Sequence, residues 1–102
     1  MDSYKATTEV KRMAVFLASY DLHKPDRNYQ PLYDYLETFN YAHCIGSVWL
    51  LDTNLTSAEI RDGMQKHMHE KDTTLVIRLQ YEAAWHNYEP CGAWILDDAR
   101  NW

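Results

Sequence analysis

Between Arg12 and Asp21 the chain reads RMAVFLASYD, and both alternating sets are apolar: Met13, Val15 and Leu17 on one, Ala14, Phe16 and Ala18 on the other. Such a segment predicts a strand covered on both faces of its sheet. Lys24-Pro25-Asp26 then breaks the pattern into a loop. Leu32, Tyr35, Leu36 and Phe39 recur at i, i+3, i+4 and i+7, which predicts a helix from about Tyr29 to Phe39 with Asn28 as its N-cap. Pro31 fits only the first helical turn, where its missing N–H breaks no bond.

Gly46 divides YAHCIGSVWLLDT into two short strands or one bent strand. Val48 to Leu51 is apolar on both sides, so this segment is expected at the centre of a sheet. Thr56-Ser57-Ala58-Glu59 is a capping box, and Leu55 and Ile60 occupy the positions of a hydrophobic staple. The helix it opens is expected to run to about Met68 and to bury Ile60, Met64 and Met68. From Thr73 to Tyr81, Leu75, Ile77, Leu79 and Tyr81 alternate with Thr74, Val76, Arg78 and Gln80, predicting a further strand. The tail, EAAWHNYEPCGAWILDDARNW, carries three of the four tryptophans, and its AWIL reads as a short strand or a helical turn. So apolar a tail needs its own sheet or a partner chain to pack on.

This order, β-α-β(β)-α-β in 102 residues, is too short for a doubly wound fold. It predicts a ferredoxin-like α+β sandwich, with a mostly antiparallel sheet and both helices on one face. Residues 1–11 are expected to form a polar lead-in, 12–85 the domain, and 86–102 a Trp-rich tail packed on the domain or on a partner. The other sheet face calls for a cover, either the tail or a second copy of the chain, and Phe16 and Trp49 are candidates for that side.

Composition narrows the picture. A hydrophobic share of 46% is enough for an ordinary core and argues against disorder. No run approaches the ~18 apolar residues of a membrane helix, and MDSYKATTEVKR has no apolar signal core, so a cytoplasmic protein away from the membrane is expected. Cys44 and Cys91 match no metal-binding spacing and are expected to be small buried hydrophobes in a reducing compartment. The net charge of −5 weighs against nonspecific binding of nucleic acid by the whole surface, though affinity depends on where the charges lie.

A first strand ending in Tyr20-Asp21-Leu22, then Lys24-Pro25, then a helix opening with Asn28-Tyr29 and Leu32-Tyr33, resembles the SinR-like branch of the CRISPR-associated protein 2 superfamily. Ser47-Val48-Trp49-Leu50, Asp52-Thr53-Asn54-Leu55, Ile60-Arg61-Asp62 and Leu75-Val76-Ile77-Arg78-Leu79 are similar to the same group, and the match spans roughly residues 13 to 85. The resemblance implies a ferredoxin-like fold, a homodimer, and a role on RNA or DNA. In that superfamily some members are metal-dependent endonucleases, others are non-catalytic scaffolds, and related toxins cut RNA. It also implies that Asp21, which matches the strand-end aspartate assigned to metal binding in catalytic members, would hold Mg2+ or Mn2+.

The chemistry behind this expectation is simple. Mg2+ keeps several waters and can be held by one or two carboxylates, so one Asp21 from each of two chains would suffice. A bound ion would polarise a phosphoryl oxygen or activate water. His23 would shuttle a proton, while Lys24 and Arg27 would contact phosphate. Against this stands the ordinary use of aspartate at strand ends, where it bonds backbone N–H groups and starts turns. A binding or scaffold role therefore ranks ahead of hydrolysis, with protein contact through the tail, or a nucleotide pocket at a dimer interface, as alternatives. His67-Met68-His69 could chelate only where the helix has ended, and Asp97-Asp98 is the usual solvated pair of acids. Ser3, Ser19, Ser47 and Ser57 lack a nucleophile setting, and three glycines make no phosphate loop.

Overall fold

Two strands buried on both faces must be covered on both faces, and the computed structural model, which describes residues 12–102, shows how. The expected lead-in, residues 1–11, lies outside the described residues. Strands β1 (Ala14–Asp21), β2 (Asn40–Ile45), β3 (Val48–Thr53) and β4 (Thr73–Arg78) form one antiparallel sheet in the order β2-β3-β1-β4. Helices α1 (Gln30–Leu36), α2 (Ser57–Gln65) and α3 (Cys91–Leu96) complete an α+β architecture.

On one face, Ala14, Phe16 and Ala18 of β1 and Trp49 and Leu51 of β3 pack against Leu32 and Leu36 of α1 and Ile60 and Met64 of α2. Each fully buried leucine, isoleucine or methionine among them contributes about 1.5–3 kcal/mol. The capping box closes in both directions: Thr56 Oγ1 accepts from the Glu59 N–H at 3.1 Å, and Glu59 Oε1 from the Thr56 N–H at 2.9 Å. The box fixes the start of α2 as expected, but the regular helix stops at Gln65, short of Met68. Helix α1 is also shorter than its apolar repeat suggested, and its N-cap is Tyr29 rather than Asn28. The Asn28 side chain still accepts from the Gln30 N–H at 3.0 Å. Gly63 lies where a methyl group would overlap the Tyr35 ring, so glycine permits the close approach of α2 to α1.

The other face is covered by the tail. Ala42, Leu50 and Leu17 stand in one cross-strand row, meeting Tyr88, Cys91 and Ile95 with Trp85, Trp94 and Trp102 around them. The row continues to Ile77 of β4, which is 47% exposed against 7% for Leu50, so the cover ends at β1. Polar contacts fasten it. Trp94 Nε1 donates to Asn40 Oδ1 at 2.9 Å, and Arg100 donates to Trp94 O at 3.0 Å and to Asp52 Oδ2 at 2.6 Å. The Arg100 guanidinium also lies 3.9 Å from the centroid of the Trp94 ring.

Two expectations are corrected here. Phe16 and Trp49 belong to the helix-side core, not to the second face, because even positions of β1 and odd positions of β3 point toward the helices. A strand apolar on both sets does not reveal which set faces which layer. Cys44 and Cys91 are not separate buried thiols: they form a disulfide with Cα atoms 6.2 Å apart, joining edge strand β2 to α3. No spacing rule pairs cysteines 47 residues apart; folding the tail back over β2 brings them together. Closing a loop of that length removes denatured-state entropy worth about 4 kcal/mol.

The Asp52–Arg100 pair has side chains only 4% and 5% exposed, and Asp52 Oδ1 has no hydrogen-bond partner. Arg100→Met leaves a buried carboxylate unpaired and is expected to cost about 3–5 kcal/mol in chemical denaturation. The double variant Asp52→Leu/Arg100→Met should lose much less, and equal losses in the two would contradict this account of the fastening.

Candidate functional site

β1 delivers the candidate residues at its carboxyl end. Strand alternation puts Asp21 on the same side as Leu17 and Ser19, opposite Tyr20, which packs with the helix-side core. It pairs with Thr73 at the start of β4, beyond the reach of the tail. The Asp21 carboxylate lies 3.3 Å from His23 Nε2, and the two side chains are 73% and 48% exposed. The loop then turns, with the Arg27 N–H donating to Lys24 O at 2.9 Å and the Arg27 guanidinium 5.8 Å from the Tyr29 ring centroid. Thus Asp21 and His23 come together, whereas Lys24 and Arg27 stay on the exposed loop without a hydrogen bond or ion pair to Asp21.

The loop is held by a residue that the sequence did not single out. Asp72 accepts from the His23 N–H at 2.7 Å, the Tyr29 hydroxyl at 2.8 Å and the His69 N–H at 2.8 Å. It therefore does the backbone-binding work that strand-end aspartates often do, and the Asp21 carboxylate is left to His23. Burial by itself would raise the Asp72 pKa. The bonds from His23, Tyr29 and His69, with the charge of His69, outweigh burial and hold the carboxyl below its usual range. The signal was topological: in an antiparallel β1–β4 pair, the residue before β4 lies beside the loop after β1.

The two other candidate clusters do not converge. His67 lies against the Tyr35 ring with centroids 5.9 Å apart, while His69 Nδ1 accepts from the Lys71 N–H at 3.1 Å. Asp97 Oδ1 accepts from the Ala99 N–H at 2.8 Å, a local turn contact. Among the described residues no group of three or more His, Cys, Asp or Glu side chains is placed to hold a metal ion. A hard dication needs little from the protein beyond one or two carboxylates. One chain supplies a single exposed carboxylate, Asp21, with the neighbouring His23.

No protein-family model matches the chain, and no solved structure matches it. No helix among the described residues is long and apolar enough to cross a membrane.

Because its folded-state pKa is depressed, Asp72 stabilises the loop fully above the ordinary carboxylate pKa, and this contribution is lost as pH falls through the lower, folded-state value. Asp72→Asn is therefore expected to cost about 1–3 kcal/mol at neutral pH. The gap between variant and wild type should begin to narrow only below about pH 4 and close as pH falls through the folded-state value. A gap in denaturation free energy that is independent of pH would contradict the assignment.

Proposed function

We propose that this protein is a homodimeric, ferredoxin-like protein similar to the SinR-like branch of the CRISPR-associated protein 2 superfamily, acting on RNA or DNA. The observation that carries the reading is the Asp21–His23 pair, 3.3 Å apart and exposed at the open end of an interior strand. The β-α-β-β-α-β order and the interior position of β1 and β3 support the fold assignment. Exposed Leu75 and Ile77 on the uncovered half of the same sheet face support a second copy there, which would bring a second Asp21 to that face.

In this reading Asp21 holds Mg2+ or Mn2+, with the second copy completing the carboxylate pair. The ion, when bound, supplies charge stabilisation at a phosphoryl oxygen. Lys24 and Arg27, on the neighbouring loop, bind and orient the phosphodiester. With Nε2 turned to the Asp21 carboxylate, which orients the imidazole, His23 would take or return a proton at its other ring nitrogen, Nδ1.

A second reading has its own observation. Cytoplasmic thiol poise keeps most cysteine pairs reduced, so the Cys44–Cys91 disulfide fits an oxidising compartment better than the cytoplasm that a nucleic-acid role would imply. A non-catalytic interaction module, binding a protein through its open edge strand β4, accommodates both the disulfide and the net charge of −5.

The readings separate in one assay. Single-stranded RNA and duplex DNA are incubated with Mg2+ or Mn2+, and Asp21→Ala is expected to slow cleavage at least ~100-fold. The exposed Asp21 side chain makes a folding defect an unsuitable explanation, and sedimentation of both proteins checks the dimer. Absence of cleavage, or equal rates in the variant, defeats the catalytic reading and leaves the interaction module.

A further inference from the structure

A concavity of about 320 Å3 lies between α1 and the β2–β3 hairpin. It is lined by Tyr20 at the end of β1, by Trp49 near the start of β3, and by Gln30, Tyr33, Glu37 and His43. Gln30, Tyr33 and Glu37 reach it together because i, i+3 and i+7 share one face of a helix. The aromatic groups are held in place. His43 stacks on Trp49 with centroids 3.7 Å apart and planes 11° from parallel, and its Nε2 donates to Gly46 O at 2.5 Å. Trp49 Nε1 donates to the Tyr20 hydroxyl at 3.1 Å, and the Tyr20 and Tyr33 rings stand 6.1 Å apart at 45°. Burial raises the Tyr20 pKa against the opposing bond from Trp49, with Tyr33 adding to the rise, so the hydroxyl stays neutral.

The groove's polar groups are biased toward one ligand charge. Glu37 brings a carboxylate, the His43 Nε2–H is taken up by the Gly46 carbonyl, and the Gln30 amide nitrogen is turned away to Asp34 Oδ1 at 2.9 Å. Among the described residues neither Lys nor Arg lines it. Electron-rich ring faces with a carboxylate in the same lining attract a cation and repel a phosphate. The volume sits at the lower end of small-molecule sites, which suits a compact ligand rather than a polymer.

We propose that this groove binds a small organic cation, an ammonium or guanidinium compound, against the Tyr20 and Tyr33 rings with Glu37 as its counter-charge. It lies at the same end of β1 as Asp21, since Tyr20 lines it, but on the other face of the sheet, and it does not depend on the nucleic-acid reading. The groove faces the helix side of β2 and β3, whereas Asp21 lies on the opposite side of the sheet.

The test is a titration of the isotopically labelled full chain, read at the Trp49 indole N–H and the Gly46 amide. Tetramethylammonium chloride and arginine amide are the probes, with sodium chloride and AMP as controls. Both organic cations are expected to shift the two signals saturably, and the controls are not. Glu37→Gln, an exposed near-isosteric change, and Tyr33→Leu should each weaken binding by between about 2- and 30-fold. Shifts with AMP and not with the cations, no saturable shift with either cation, or unchanged binding in Glu37→Gln would each overturn the proposal.

Discussion

Strands β1 and β3 are apolar on both faces, and most other features follow from the need to keep both faces dry. One layer of helices covers only one side, through Leu32, Leu36, Ile60 and Met64. Without the tail, Leu17, Leu50 and Ala42 would form an exposed apolar row across three strands. Residues 85–102 supply the missing layer, and their short helix could not hold its place by helix propensity alone. A covalent link to β2 and a buried ion pair to β3 hold it there. The cover stops short of β4, which leaves that edge strand with Leu75 and Ile77 in solvent.

Two acids near the first loop divide the work that one aspartate often does. Asp72 collects three hydrogen bonds from separate parts of the chain and sets the loop conformation. Asp21, at the neighbouring strand end, is relieved of that task and meets His23 instead. A carboxylate committed to backbone amides is a poor ligand or general base. The exposed one lies next to an imidazole and a loop that carries Lys24 and Arg27. This division is what keeps a functional reading of Asp21 open in an acidic protein.

Charge is sorted by location as well as by total. The loop after β1 gathers His23, Lys24 and Arg27, while the aromatic groove between α1 and the hairpin has a carboxylate, one histidine and, among the described residues, no Lys or Arg. A net charge of −5 describes neither of them.

Local rules were enough for much of this molecule. Runs apolar on both sets marked β1 and β3, alternation marked β4, the Thr56–Glu59 box located the start of α2 to the residue, and Gly46 marked a break that the structure resolves as the turn between β2 and β3. These features depend on backbone geometry and on partners within four residues, information that neighbouring letters carry. Folding alone decided the rest: that Phe16 and Trp49 face the helices, that Cys44 meets Cys91, that Arg100 reaches Asp52, and that Asp72 anchors the first loop. Each of these depends on which face of the sheet receives which layer, or on pairings across 43 to 49 residues of chain. A strand apolar on both sides carries no mark of its layer, so only the assembled sheet could assign them.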